Sequence, residues 1–319
     1  MTKKILLGFA ALLLATANQA PQTVEARLHQ DIAVLAGDDL AGRAPGTPGG
    51  DQAIAYIVRR FHDIGLAPGL AGGKWAQRVD VEGKESANLI GRIAGSDRAG
   101  GAVVMTAHWD HLGLCQPAGV ADRICNGAVD NASGVALMIE VARLLAAGPK
   151  PHRTIFFVAT TGEEEGLIGA RAFITAPPVP RDDIVAAINL DCPATAPAGA
   201  SVGIVGRGMT RLDPIVDAEA RRLGRRIDAS GWANQFVKRQ DGWAFLNAGV
   251  PAVMIGGNVG DHASLQAFLD GTYHRPNDDL AHLPPLAGAA EDSLLLAATI
   301  RAFADPARLP ATVKVTHRS

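Results

Sequence analysis

Thr154-Ile155-Phe156-Phe157-Val158-Ala159-Thr160-Thr161-Gly162-Glu163-Glu164-Glu165-Gly166 is the stretch on which the fold turns. An almost unbroken apolar run passes directly into three consecutive carboxylates. A run this short and this apolar reads as a strand buried on both faces, the kind a sheet needs when helices cover both of its sides. Working outward, 133–147 has strong helical spacing, 102–107 is a second continuous apolar strand, and 88–94 is a third. Downstream, 165–176 reads as a helix and 185–190 as another buried strand. This alternation predicts an α/β fold: a mixed, largely parallel central sheet with helices on both faces. Beyond it, 201–205 and 251–255 read as strands, and 211–223 and 285–304 as helices. Ahead of it, helices are expected at 24–35 and 51–64, separated by the Gly/Pro-rich loop 42–50. No regular structure is assigned to 231–245.

The triple glutamate is one of five acidic or histidine clusters. The others are His108-Trp109-Asp110, Asp130-Asn131, Asn189-Leu190-Asp191 and Tyr273-His274. Each is placed where a predicted strand runs out into a loop, which is where α/β proteins carry their chemistry. Taken singly, each has a simpler explanation. His-x-Asp is common by chance, Asp130 or its neighbours Asn131 and Ser133 would cap a helix, and acids suit the first turn of a helix. Asp191 would serve as a turn residue and His274 as a surface histidine. Jointly and in this order they supply the donors of a two-metal hydrolase. Three adjacent carboxylates at a sheet edge repel one another unless a cation compensates. Adjacent residues also point in different directions, so one glutamate can bind metal while its neighbour handles a proton.

The 319 residues, 48% hydrophobic and 19% charged, are those of an ordinary globular enzyme. A formal charge of −2 predicts no polyanionic partner, nucleic acid included. Lys3-Lys4, an apolar run over 5–15 and Ala15-Thr16-Ala17 match a secretory signal cleaved after Ala17, or after Ala20 as second choice. The run is well short of the roughly 20 residues that span a bilayer, so no stable membrane association is expected after cleavage. One catalytic domain is expected over 22–309, with a polar tail over 310–319. Export to a periplasm or the medium means an oxidising compartment, and there Cys115 and Cys125 are expected to pair across a short polar loop. Closing that loop stabilises by about 2 to 3 kcal/mol on the loop-entropy model. Cys192 reads as a buried, inert thiol. Aromatics are sparse at 5%, and no aromatic specificity pocket can be named.

From about residue 88 to 279 this pattern resembles the co-catalytic zinc aminopeptidases of clan MH, a metallopeptidase group that also holds carboxypeptidases and glutaminyl cyclases. Asp39-Leu40-Ala41-Gly42-Arg43 and Gly46-Thr47-Pro48-Gly49 are similar to the lead-in of the same family. The resemblance implies the zinc-dependent exopeptidase fold and two Zn2+ per chain, with Co2+ or Mn2+ as substitutes. It implies that His108 and Asp191 bind one ion, Glu164 and His274 the other, and that Asp130 bridges them. Glu163 would be the general base toward a water shared by the metals, Asp110 the partner that orients His108, and Asp130-Asn131 a cis peptide. The implied activity is removal of N-terminal residues from peptides. Gln240-Asp241-Gly242 stands where relatives often carry Ser-Asp-His, which removes one substrate contact, although Asp241 is a candidate neighbour for the substrate's amino group. The stretch 79–88 is too short for a protease-associated domain, so the compact form is expected. A carboxypeptidase would need a basic pocket, for which Arg207, Arg211 and Lys238 are candidates. A glutaminyl cyclase fits less well, since that chemistry uses one zinc in this clan, and a non-catalytic peptide-binding module would have lost ligands that are all present here.

Overall fold

The computed structural model describes residues 22–97 and 100–311. The expected signal segment and nearly all of the expected tail lie outside the described residues. An eight-stranded sheet runs in the order β1 (Ala67–Pro68), β3 (Lys84–Ile93), β7 (Thr154–Thr160), β4 (Ala102–His108), β8 (Ile184–Asn189), β10 (Ala252–Gly256) and β9 (Gly203–Val205), with β2 (Ala76–Val81) paired to β3. The central strands β7, β4, β8 and β10 are parallel, and antiparallel neighbours flank them on each side. The predicted mixed, largely parallel sheet is therefore present.

Period-two alternation within the buried strands divides the core. Val103, Met105 and Ala107 with Ile155, Phe157 and Ala159 face a layer made by α1 (Val24–Leu35), α2 (Pro48–Asp63), α3 (Ser133–Ala146), α5 (Asp213–Arg222) and α8 (Ala287–Phe303). Val104, Phe156 and Val158 face the opposite way, onto α4 (Ile168–Thr175) and α6 (Gly242–Asn247). Successive side chains of a strand point to opposite faces, so a strand covered on both sides must be apolar throughout. Among the described residues no helix is long and apolar enough to cross a membrane.

Several elements differ from the sequence reading. The acids 163–165 do not open a helix: Gly166 N–H donates to the Glu163 carbonyl at 2.8 Å, Gly166 and Leu167 take positive φ, and α4 starts only at Ile168. The helix α2 starts at Pro48, three residues before the expected position. Thr47 caps it by accepting from Gly50 N–H at 3.1 Å, and Pro suits a first turn whose N–H groups have no intrahelical partner. Residues 79–88 form the closed end of the β2–β3 hairpin, with Glu82 and Gly83 as its turn. Helix α7 (His262–Gly271) was not foreseen. Its signals are Asp261, which accepts from Ser264 N–H, and buried Leu265 and Phe268 three residues apart. Cys115 and Cys125 are disulfide-bonded across the small hairpin β5 (Gly113–Leu114) and β6 (Ile124–Cys125), as expected.

Register brings the chemistry to one sheet edge. His108 pairs with Thr160 across β4 and β7, and Leu190 N–H donates to the Thr106 carbonyl at 2.8 Å. The chain leaving each strand, at Trp109, Thr161 and Asp191, thus emerges at one place. Behind it lies Arg43, whose fully buried guanidinium donates to the carbonyls of Trp109 (2.7 Å), Leu35 (3.2 Å), Gly127 (2.7 Å), Asp130 (3.2 Å) and Asn126. Gly127 has φ 60°, and a Cβ there would sit 2.1 Å from the Asp130 carbonyl oxygen, so only glycine permits this turn. Burial lowers the Arg43 pKa to about 10, with Asp130 and Asp278 opposing, and the group stays charged at neutral pH.

Helices α1 and α3 are joined by Glu140, whose buried carboxylate receives two-pronged bonds from Arg27 (2.9 and 2.7 Å) and Arg143 (2.8 and 2.6 Å). Burial works against ionisation, yet the bonds from Arg143 and Arg27 outweigh it and hold the carboxyl below its usual value.

Two stability predictions follow from these clusters. Arg43→Met strands several buried carbonyls without donors, and urea denaturation should read a loss of about 3 to 5 kcal/mol. A loss under about 1 kcal/mol would show that water replaces the guanidinium. Glu140→Gln should cost about 2 kcal/mol at pH 7. Because the folded carboxyl titrates below its unfolded value near 4.3, its contribution is present above about pH 4.3 and fades as pH falls through the folded value. Variant and parent midpoints should therefore converge in acid, and a gap independent of pH would assign the loss to shape instead of charge.

Candidate metal centre

Five side chains converge at the sheet edge. Asp130 sits at their centre, and each of its carboxylate oxygens faces a different histidine: Oδ1 lies 3.2 Å from His108 Nε2, and Oδ2 lies 3.2 Å from His274 Nε2. On the first side Asp191 Oδ1 lies 3.6 Å from His108 Nε2, and on the second Glu164 Oε2 lies 3.0 Å from His274 Nε2. The five side chains that the sequence offers as donors are thus brought together, His108 beside Asp191, His274 beside Glu164, and Asp130 between them. Not all of them leave strand ends, however. Asp130 precedes α3 through a cis peptide to Asn131, and His274 follows α7 in a left-handed turn, φ 58°.

This donor set fits zinc. His274 Nε2 has no hydrogen-bond partner despite its two carboxylate neighbours, and nitrogen and carboxylate oxygens all face one small volume. Donor atoms of His108, Asp130 and Glu164 lie within 4.8 Å of one another, as do those of Asp130, Asp191 and Cys192. Imidazole with carboxylate is a usual zinc donor set. Cys192 itself is buried, and its Sγ donates to Asp191 Oδ1 at 3.2 Å. Burial and the charge of Asp191 push the thiol well above its usual value, in keeping with an inert group.

Around the donors, charge is crowded. Burial, with Asp191, Asp241 and Glu164, holds Glu163 well above the usual carboxylate range against the pull of His108. Burial also raises Asp110 to about 7, with Glu164 and Glu165 adding to it. For His108, burial alone would lower the pKa, but Glu163 and the contacts with Asp130 and Asp191 raise it well above the ordinary value. Burial is likewise overcome at His274, which is raised to about 10 by Asp130 and Glu164. Acids outnumber the histidines, and a cation between them resolves the repulsion.

The orienting contact on His108 differs from expectation. Its Nδ1 lies 3.2 Å from the Asp110 backbone carbonyl, and the Asp110 carboxylate is farther, at 4.0 Å. That carboxylate instead accepts from Glu163 N–H at 3.5 Å, while Oδ2 is buried without a partner. Asp241 is also buried. Its Oδ2 accepts from Thr160 Oγ1 at 2.5 Å, its Oδ1 has no partner, and burial raises it to about 6.

Two contributors escaped the sequence reading. His111 is buried with Nδ1 2.7 Å from Glu164 Oε1, so it orients the glutamate whose other oxygen faces His274. Its only sequence signal is its place one residue after Asp110. Asp278 accepts from Val129 N–H at 2.8 Å and Asp130 N–H at 3.0 Å, fixing the backbone of the central aspartate. In sequence it is one acid in the polar run Asn277-Asp278-Asp279, with nothing to distinguish it.

Beside the donors opens a small pocket, lined in part by Asp191 and Cys192. Its walls include Phe236, Met254, Leu265, Leu269 and Tyr273, so aromatics do line a pocket despite their scarcity. Of the cations, Arg239 lines it. Arg207 is committed to Asp217 at 2.8 Å, Lys238 lies over the Trp243 ring at 5.4 Å, and neither they nor Arg211 line the pocket.

Known proteins share both sequence and fold. A probable zinc metalloprotease of Pyricularia oryzae is 30% identical over 238 residues, 65% of this chain and 43% of that protein. The chain spans less than half the length of the curated relatives it matches. A zinc aminopeptidase from Bacillus subtilis superposes with a TM-score of 0.66 at 15% identity, covering 88% of this chain and 95% of that one. The glutaminyl cyclase of Porphyromonas gingivalis superposes with a TM-score of 0.65 at 19% identity, covering 86% and 97%. These likenesses establish the fold, which aminopeptidases and cyclases share. The family model of peptidase family M28 matches residues 88–298, a span that runs from β3 into α8 and contains all five converging donors, and the chain belongs to that family of zinc metallopeptidases.

Proposed function

We propose that this chain is an exported aminopeptidase that holds two zinc ions and uses Glu163 as general base. The observation that carries the reading is the split of Asp130, one oxygen toward His108 and Asp191, the other toward His274 and Glu164. One bridging carboxylate between two equivalent half-sites is what a pair of cations needs. Bound zinc supplies a Lewis acid that polarises the scissile carbonyl and acidifies water.

The chain's own groups supply the rest. Glu163 is adjacent to Glu164, and among the described residues no side chain donates to its carboxylate, so its oxygens are free to accept a proton. It takes the proton from the attacking water and delivers it to the departing amine. Asp110 orients the turn that carries Glu163 through the N–H of Glu163, and His111 holds Glu164 so that its second oxygen faces inward. Asp241, buried with one free oxygen, is the group proposed to receive the substrate's α-ammonium. Export is proposed from the N-terminal sequence, and the disulfide supports an oxidising destination.

Glu163→Gln should retain the zinc content of the parent by elemental analysis while kcat falls by about 100-fold or more. Near-parental turnover would remove Glu163 from the proton path. The direction of attack is read by mass spectrometry on peptides with free or acetylated N-termini, incubated with the zinc-loaded protein. Stepwise loss confined to free N-termini is expected, whereas shortening from the C-terminus would make the chain a carboxypeptidase.

A further inference from the structure

The pocket beside the donors is lined mostly by apolar side chains and by one cation, Arg239. Arg239 is exposed at its edge, and its guanidinium carbon lies 5.8 Å from the centre of the Phe236 ring. Among the described residues no carboxylate pairs with it. Arg60, Arg207 and Arg225, by contrast, lie 2.6, 2.8 and 3.0 Å from Asp31, Asp217 and Asp292, and among the arginines without such a partner Arg239 is the one that lines this pocket. Asp191, the acid that lines the pocket, faces His108 in the donor cluster.

We propose that Arg239 makes this pocket selective for an acidic side chain on the first residue of the peptide, with glutamate the best fit. The inference rests on the aminopeptidase reading and names the substrate class for it. A side chain held in this pocket meets Met254, Leu265 and Leu269, which suit methylenes, and can reach Arg239 with its tip. There the planar guanidinium, steadied by Phe236, presents paired N–H donors matched to a carboxylate. Lysine or arginine in the same place would bring like charges together. Leucine fills the walls but leaves the guanidinium unused. Arg239 binds substrate through its side chain and takes no part in the proton path.

The test compares the zinc-loaded protein with Arg239→Ala and Arg239→Glu on tripeptides X-Ala-Ala, where X is Glu, its neutral isostere Gln, Leu or Lys. Each peptide is also offered with an acetylated N-terminus. A charge-assisted, paired hydrogen bond should favour Glu over Gln in kcat/KM by about 10- to 100-fold. In Arg239→Ala the Glu/Gln ratio should fall to near one, and in Arg239→Glu preference should pass to Lys. Zinc content and thermal midpoint serve as controls for folding of both variants. Free N-termini cleaved with a Glu/Gln ratio near one, or a ratio unchanged by Arg239→Ala, would overturn the inference and leave the aminopeptidase reading standing. Acetylated peptides shortened from the C-terminus would overturn both.

Discussion

The guanidinium of Arg43 carries five carbonyl oxygens drawn from the end of α1, the exit of β4 and the turn before α3. Burying a charge costs several kcal/mol, and the cost is met here only because those carbonyls, themselves buried, would otherwise lack donors. The arrangement works in both directions. It neutralises a polar turn inside the core, and it fixes the carbonyl beside His108 and that of Asp130 relative to one another. Asp278 completes the frame from the opposite side by accepting from Val129 N–H and Asp130 N–H. The central aspartate is thus held by its backbone, and its side chain needs no structural partner.

That division of labour explains how so many acids share one small space. Asp110 meets His108 through its backbone carbonyl, Glu164 meets His111, Asp241 meets Thr160, and the Glu163 backbone N–H meets the Asp110 carboxylate, so no two of these carboxylate groups bond to one another. Repulsion among them is left for a cation to relieve. A site organised this way is rigid before metal arrives, and pre-organisation of donors is what allows tight binding without a large rearrangement.

Much of this was legible in the sequence, for a physical reason. Strands covered on both faces are unbroken apolar runs, so β4, β7 and β8 announced themselves, and their shared direction put His108, Glu163, Glu164 and Asp191 at one edge. Residues recognised by chemical type, such as His274, were also within reach once the others framed the question. At the margins of the sheet the readings at 88–94 and 201–205 met β3 and β9, while β1 and β2 went unread. Strand β2 is largely exposed, with a weaker pattern than the centre, and the acids 163–165 have the composition of a helix start although two left-handed residues intervene. His111, Asp278 and Arg239 escaped because their roles come from tertiary contacts that no local spacing encodes. Arg239 matters through what is absent around it, a missing carboxylate, and a sequence does not display missing neighbours.

The donors lie far apart along the chain. They appear as His108, Asp130, Glu164, Asp191 and finally His274, so the cluster stays incomplete until α7 and the turn after it have been made. Asp278, which pins the central aspartate, comes four residues later still. The centre is thus a property of the assembled chain, since no stretch of it shorter than the span from the end of β4 to the turn after α7 holds all five side chains.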